Sequence, residues 1–273
     1  MDVGAANWTH ALRRAAAGAI VSIGLLGAAG CGTAAAPTCA AGAGASACTR
    51  VLFLGNSYTY VNDLPATFAR LAQSGSHSVE TGMVANGGET LAQHATSSDD
   101  STKISSETWS YVVLQEQSDT PAYSSSTSSM YSPAKVLTDQ ASRVGAVPLL
   151  FMTWAHKDGE PGAGQPTYQG SQEAVDRTYL ALSGSLGAPV APVGYTWLHV
   201  FLDHPEIDLW QDDNSHPTSA GTYLAACVFY ATIFRQSPYG LSYDGGLADS
   251  QARILQDEAG RHVLDMQAQW NLR

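Results

Sequence analysis

Val51-Leu52-Phe53-Leu54-Gly55-Asn56-Ser57-Tyr58-Thr59 is a short apolar run that breaks on a glycine and reaches a serine two residues later. An uninterrupted apolar run of this length, bounded by a turn signal, reads as a strand buried on both faces. Helix-like spacing follows over Leu64 to Gln73, so the stretch is a strand, a turn and a helix, with Ser57 at the carboxyl end of the strand. A serine hydroxyl holds its proton at neutral pH, and it becomes a nucleophile only beside a base that a third group orients. Near the other end of the chain, Asp212-Asp213-Asn214-Ser215-His216-Pro217 precedes another helix-like stretch and supplies both an acid and a base. Ser57, His216 and Asp213 are the candidates for those three roles.

Outward from Val51, the same alternation recurs. Tyr111 to Leu114, Val147 to Met152 and Pro189 to Val193 read as buried strands, and Val79 to Val84 as a weaker one. Pro133 to Val144, Gln172 to Leu186 and Thr218 to Phe234 show helical spacing. Strands alternating with helices of this length imply an α/β fold with a parallel sheet covered on both faces. Thr96 to Ser106 and Ser118 to Ser132 are rich in Ser, Thr and Asp and read as solvated loops. Both follow segments that end at the carboxyl edge of the sheet, where open α/β folds bind ligands, so they are candidates for the rim of a cleft.

The beginning of the chain has a different character. Arg13-Arg14 precedes an uninterrupted small and apolar run from Ala15 to Gly30, the order of a secretory signal over residues 1–30. The run is too short and too rich in Gly and Ala for a membrane-spanning helix. It ends at Gly27-Ala28-Ala29-Gly30-Cys31, similar to a bacterial lipobox with Ala28 where Leu is usual. The expectation is export to the cell envelope with Cys31 lipidated, the alternative being ordinary cleavage near the following alanines and secretion. Residues 31–48, nearly all Ala, Gly, Thr, Ser and Pro, read as a flexible tether. Residues 49–273, about 225 in all, suffice for one α/β domain with a substantial core. In an exported chain Cys39 and Cys48 are candidates for a disulfide, whereas Cys227 lies in an apolar helical pattern and reads as buried.

The 273 residues carry 13 basic and 24 acidic side chains, a formal charge of −11. Removing residues 1–30 leaves 11 basic and 23 acidic side chains, so the mature chain is still strongly acidic. With no basic stripe, nucleic acid is excluded as a partner, and anionic polymers are disfavoured. Neutral or esterified substrates fit better.

At this point a family resemblance becomes specific. Gly55-Asn56-Ser57 resembles the first block of the SGNH or GDSL hydrolase superfamily, with Asn56 where Asp is usual, and Asp213-Asn214-Ser215-His216-Pro217 resembles its last block, D-x-x-H-P. The resemblance implies a flavodoxin-like three-layer α/β/α sandwich around a central parallel sheet. It implies Ser57 as nucleophile, His216 as base and Asp213 as the acid that orients it. For the oxyanion hole it implies the Ser57 N–H, a second-block glycine N–H from Asn86-Gly87-Gly88-Glu89-Thr90, and a third-block side-chain amide. Gly88 is the expected glycine, with Gly87 the alternative. The usual G-x-N-D third block is replaced by Leu114-Gln115-Glu116-Gln117-Ser118, which is similar to the Q-G-E-S pattern of carbohydrate acetylesterase and sialate esterase branches. Gln115 is the expected donor there, with Gln117 the alternative. The pattern spans about Val51 to Phe234 and also resembles a bacterial group of uncharacterised SGNH-like proteins.

Rival roles are local. Asp212 is the alternative orienting acid, disfavoured by spacing. His77, His94, His156, His199 and His204 lack ligand-like spacing and read as surface or satisfied core residues; no metal and no cofactor is expected. Tyr58, Trp154, Trp197 and Trp210 are candidates to line a sugar-sized cleft, against the commoner core role of aromatics. The implied function is a monomeric serine ester hydrolase acting on a small-molecule or glycan ester, acetyl esters included. The membrane enters only through the Cys31 lipid. An O-acyltransferase acting on an envelope polysaccharide and a non-catalytic surface carbohydrate-binding protein are the rival readings.

Overall fold

A computed structural model describes residue 39 and residues 48–272. The expected signal segment, the Cys31 anchor and the tether lie outside the described residues, apart from Cys39 and Cys48, which are joined by a disulfide. Among the described residues no helix is long and apolar enough to cross a membrane.

The opening strand is β1 (Thr49–Gly55), whose residues Val51 to Leu54 are completely buried. β2 (Val79–Ala85), β3 (Tyr111–Leu114), β4 (Val147–Phe151) and β5 (Val190–Ala191) join it in one parallel sheet of order β2-β1-β3-β4-β5. β2 is an edge strand with mostly half-buried residues, which is why its apolar signal was weak. The helices are α1 (Ser57–Tyr60), α2 (Leu64–Ser74), α3 (Leu91–Thr96), α4 (Ser98–Ser106), α5 (Ser126–Arg143), α6 (Tyr168–Leu186), α7 (Val193–Asp203), α8 (Ser219–Phe234) and α9 (Asp249–Leu264). α2, α8 and α9 pack together as one layer and α3, α5 and α6 as the other, giving the expected three-layer α/β/α sandwich.

Several elements depart from the expectation. Thr96 to Ser106 is not a loop: Ser97 caps α4 by accepting the Asp100 N–H, and Asp99 and Asp100 occupy the first turn, where carboxylates favour the helix dipole. Ser118 to Ser132 contains a short 3-10 turn at Thr120–Ala122 and the first turns of α5, so its serines are partly helical. The strand expected over Pro189 to Val193 shrinks to β5 because α7 begins at Val193. α7 continues the apolar run that reads as a strand, and it buries Val193, Gly194, Thr196, Trp197, Leu198 and Val200.

Parallel strands deliver their carboxyl ends to one edge, and that edge carries the loops that matter. They are the Asn56-Ser57 turn after β1, Asn86 to Glu89 after β2, Gln115 to Gln117 after β3 and Thr153 to Glu160 after β4. The segment before α8 folds over this edge as a tight loop. Trp210 bridges to Pro217, Gln211 N–H donates to the His216 carbonyl at 2.8 Å, and Thr218 N–H donates to the Leu209 carbonyl at 3.0 Å.

Candidate active site

Asp213 and His216 are brought together by their own loop. Asp213 Oδ1 accepts the backbone N–H of Ser215 at 3.0 Å and of His216 at 2.9 Å, which turns the chain so that Asp213 Oδ2 meets His216 Nδ1 at 2.6 Å. Asn214 takes a left-handed conformation (φ 58°) to close the turn, a conformation that asparagine tolerates. Desolvation pushes the Asp213 carboxyl up, but the hydrogen bonds from the His216 ring, the His216 N–H and the Ser215 N–H outweigh it and hold the group down at about 2. Asp213 is therefore an ionised orienting group across the neutral range. Asp212 makes no comparable contact among the described residues.

Ser57 opens α1. Its N–H is at the first helical position, where no intrahelical acceptor exists, and the Asn56 side chain caps the turn by accepting the Tyr58 N–H at 3.1 Å. Neither the Ser57 hydroxyl nor His216 Nε2 has a hydrogen-bond partner among the described residues, each other included. Catalytic hydrogen bonds are commonly made only once substrate is bound. The link between the two halves of the site is Tyr58. Its ring stands edge-on to His216 with centroids 5.9 Å apart, and its hydroxyl shares a 2.9 Å hydrogen bond with Ser215.

Gln115 does not fill the role expected of it. It is fully buried, its Oε1 accepts the Asn56 N–H at 3.0 Å and the Thr59 hydroxyl at 2.7 Å, and its Nε2 donates to Asn56 Oδ1 at 2.7 Å and to the Glu116 carbonyl at 2.8 Å. A backbone N–H can only donate, so the Asn56 contact identifies the oxygen, and both N–H groups of Gln115 are spent inside the protein. It is a clasp that ties the serine turn to β3. Gln117 is different: its Oε1 accepts from the Thr120 N–H and hydroxyl, and its Nε2 gives one hydrogen to Ser118 Oγ at 3.1 Å. One N–H of Gln117 remains without a partner among the described residues.

Asn56 also binds the second block, donating Nδ2 to the Glu89 carbonyl at 3.0 Å. An aspartate there has no hydrogen to give, which accounts for the departure from the usual residue. Glu89 shapes the glycine turn by accepting Asn86 N–H at 2.9 Å and Asn86 Nδ2 at 2.8 Å. Gly88 has φ +68°, a conformation that favours glycine, and the N–H groups of Gly87 and Gly88 have no acceptor among the described residues. Gly55 is required by closeness instead, since a Cβ there would sit 2.5 Å from Gln115 Oε1.

The aromatic residues are core. Tyr58, Trp154, Trp197 and Trp210 are at most 2% exposed, so they line no cleft. Trp154 is stacked between Tyr58 (4.3 Å) and Trp197 (4.1 Å), and its Nε1 donates to the Ser215 carbonyl at 2.9 Å. The stack is a pillar under the Asp213-His216 loop.

Two further polar residues that spacing did not reveal sit behind the serine turn. Buried His94 contacts the Gly55 carbonyl through Nε2 at 3.0 Å and Asp100 Oδ2 through Nδ1 at 2.5 Å, a satisfied core role. Buried Glu116 accepts the N–H of Leu91 at 3.2 Å and of Gln117 at 2.7 Å, and desolvation raises its pKa above the usual carboxylate range. Glu89, His94 and Asp100 lie close enough to suggest a metal cluster, but the two ring nitrogens of His94 face different partners. The donor set is committed to hydrogen bonds.

No protein-family model and no curated protein matches the chain. Solved structures do. A protein from Slackia heliotrinireducens assigned to the SGNH hydrolases is 27% identical, with 68% of this chain and 99% of that chain covered and a TM-score of 0.58. A DUF4886 family protein from Bacteroides uniformis is 16% identical, with 80% and 95% covered and a TM-score of 0.66. The acetyl xylan esterase AlAXEase is 14% identical, with 67% and 99% covered and a TM-score of 0.55. The latter two likenesses bear on the fold.

Proposed function

Because the chain belongs to the SGNH/GDSL hydrolase superfamily, we propose that it is a serine ester hydrolase that works through an acyl-enzyme on a small or carbohydrate-linked ester. The observation that carries this reading is the 2.6 Å contact between Asp213 Oδ2 and His216 Nδ1, beside a serine turn whose N–H has no internal acceptor. His216 takes the Ser57 proton through Nε2 as Ser57 Oγ attacks the ester carbonyl. The resulting imidazolium is stabilised by the Asp213 carboxylate and returns the proton to the leaving alcohol. Water then attacks the acyl-enzyme by the same route in reverse order.

The developing oxyanion is served by the N–H groups of Ser57 and Gly88, with the spare Gln117 N–H taking the place denied to Gln115. Each such donor contributes about 3 kcal/mol to the transition state. An acetylated sugar is the substrate favoured here, in view of the acetyl xylan esterase among the fold neighbours and the acidic surface that disfavours polyanions. The site is proposed to work outside the cytoplasm, which the Cys39–Cys48 disulfide supports.

Ser57→Ala tests the reading. It is expected to abolish both hydrolysis of 4-nitrophenyl acetate and labelling by a fluorophosphonate probe, with the circular dichroism spectrum unchanged. Turnover retained in that variant overturns it.

A further inference from the structure

A second histidine and carboxylate stand beside the first pair. In the loop after β4, His156 Nδ1 lies 2.6 Å from Glu160 Oε1, the side-chain exposures being 28% and 11%. As at His216, a carboxylate stands at Nδ1, here as a close ion-pair contact, and Nε2 of His156 is left without a partner among the described residues. Glu160 is itself anchored, its N–H facing Ser171 Oγ at 2.8 Å within the Glu160-Gln165 bridge.

The loop that carries His156 is fastened to the loop that carries His216. Lys157 N–H donates to the Asn214 carbonyl at 2.8 Å, Asn214 Nδ2 donates to Asp158 Oδ2 at 2.9 Å, and Trp210 Nε1 donates to the Ala155 carbonyl at 3.3 Å. His156 is thus bracketed by residues that touch the His216 loop on both sides. Glu160 beside it holds the imidazole above its ordinary range against the opposing effect of burial, and the Asp119 and Asp213 carboxylates add to that. The strand order sets which half of a substrate it faces. The oxyanion donors of the glycine turn follow β2 at one edge, whereas His156 follows β4, on the far side of β1 and β3. The leaving alcohol has to lie by His216, which returns its proton, and therefore on the side of His156.

We propose that His156 is a specificity-determining residue for the alcohol half of the substrate, hydrogen-bonding through Nε2 to a hydroxyl of a polyhydroxylated alcohol such as a sugar. This inference rests on the serine ester hydrolase reading. With the Asp119 carboxylate close enough to act on it electrostatically, the position offers a ring nitrogen and a carboxylate, a pairing suited to neighbouring hydroxyls and useless to a flat aryl leaving group. With Glu160 at Nδ1, Nε2 is the ring nitrogen left to meet a substrate.

The test compares two esters of the same acid, acetylated xylotriose and 4-nitrophenyl acetate, in the full chain and in His156→Leu. Loss of that hydrogen bond is expected to cost about tenfold in kcat/KM on the sugar ester, expressed mainly in KM, against at most about threefold on the aryl ester. His156→Gln, which keeps a hydrogen-bonding side chain, is expected to recover part of the sugar-ester activity. The rate of fluorophosphonate labelling of Ser57 monitors the integrity of the nucleophile in each variant. Equal losses on the two esters, no loss on either, or a wild-type protein that turns over the aryl ester and not the sugar ester each overturn the inference while leaving the esterase reading standing. A wild-type protein that neither labels nor hydrolyses either ester overturns both.

Discussion

Asn56 and Gln115 form a closed ring of two hydrogen bonds: Gln115 Oε1 accepts the Asn56 N–H at 3.0 Å, and Gln115 Nε2 donates to Asn56 Oδ1 at 2.7 Å. The two residues that depart from the family pattern are therefore a matched pair. Asn56 gives one of its two side-chain amide hydrogens to the Glu89 carbonyl, so the ring joins the loops after β1, β2 and β3 at one point. Ser57 is the next residue in the chain, and its position depends on that ring.

Gln115→Leu separates a clasp from an oxyanion donor. Loss of the amide leaves the Asn56 N–H and the Thr59 hydroxyl unpaired in a fully buried place and takes one of two donors from Asn56 Oδ1, at a cost of about 3 kcal/mol of stability or more. Urea unfolding measured beside ester turnover decides between the roles. A variant of wild-type stability whose kcat alone has fallen about a hundredfold or more shows a donor and contradicts the clasp.

Asp213→Asn is expected to lower kcat by two to four orders of magnitude, on the scale seen for triads whose orienting acid is neutralised, with little change in folding. The exposed loop explains the second half of that statement. The folded carboxyl is depressed to about 2, so the stability it contributes is present above the ordinary pKa of 3.8 and is lost as the pH falls through about 2. The acid side of the wild-type pH–rate profile should consequently show no step assignable to Asp213 above pH 3.8; a step in that window that disappears in Asp213→Asn counts against the assignment.

Asp176 on α6 offers a prediction about stability alone. Desolvation raises its carboxyl to about 7 in spite of a 2.8 Å hydrogen bond from Gln172 Nε2. For a carboxyl raised in this way, its favourable contribution is complete below the unfolded value of 3.8 and is lost as the pH rises through about 7. Asp176→Asn keeps an oxygen for Gln172 and removes the titration. Denaturant unfolding should show the variant more stable than wild type at pH 8, by at most about 4 kcal/mol, and little changed at pH 4. An equal effect at both pH values rules out the linkage.

The expected and observed elements agree where the signal was local and diverge where it was not. The strand-turn-helix around Ser57 was legible because four consecutive apolar residues need burial on two faces, and Asn56 caps a helix it directly precedes. The α4 helix was missed because its serines and aspartates look like loop residues unless Ser97 is recognised as a cap. The four aromatics were legible as aromatics, but whether they face a cleft or one another depends on packing of β4, α7 and the loop before α8. His156 was set aside for want of ligand spacing, and Glu160 is four residues away in a loop, where that spacing carries no meaning until the loop is folded.

What the amino-acid sequence determined by itself is the layer order, the edge of the sheet that bears the site, and the Asp213-His216 pair. The pair needs only the three-residue reach of one turn, with Asp213 accepting the two N–H groups that bend it. Tertiary structure alone decided that Gln115 is a clasp, that the tryptophans form a pillar, and that His156 stands beside His216. Those outcomes depend on the parallel register of β1 with β3, which pairs Leu54 with Leu114 and so sets Asn56 against Gln115, and on loops fastened together across the fold. Hydrogen bonds between residues far apart in the chain form only after the sheet has chosen its neighbours, and no local pattern carries that choice.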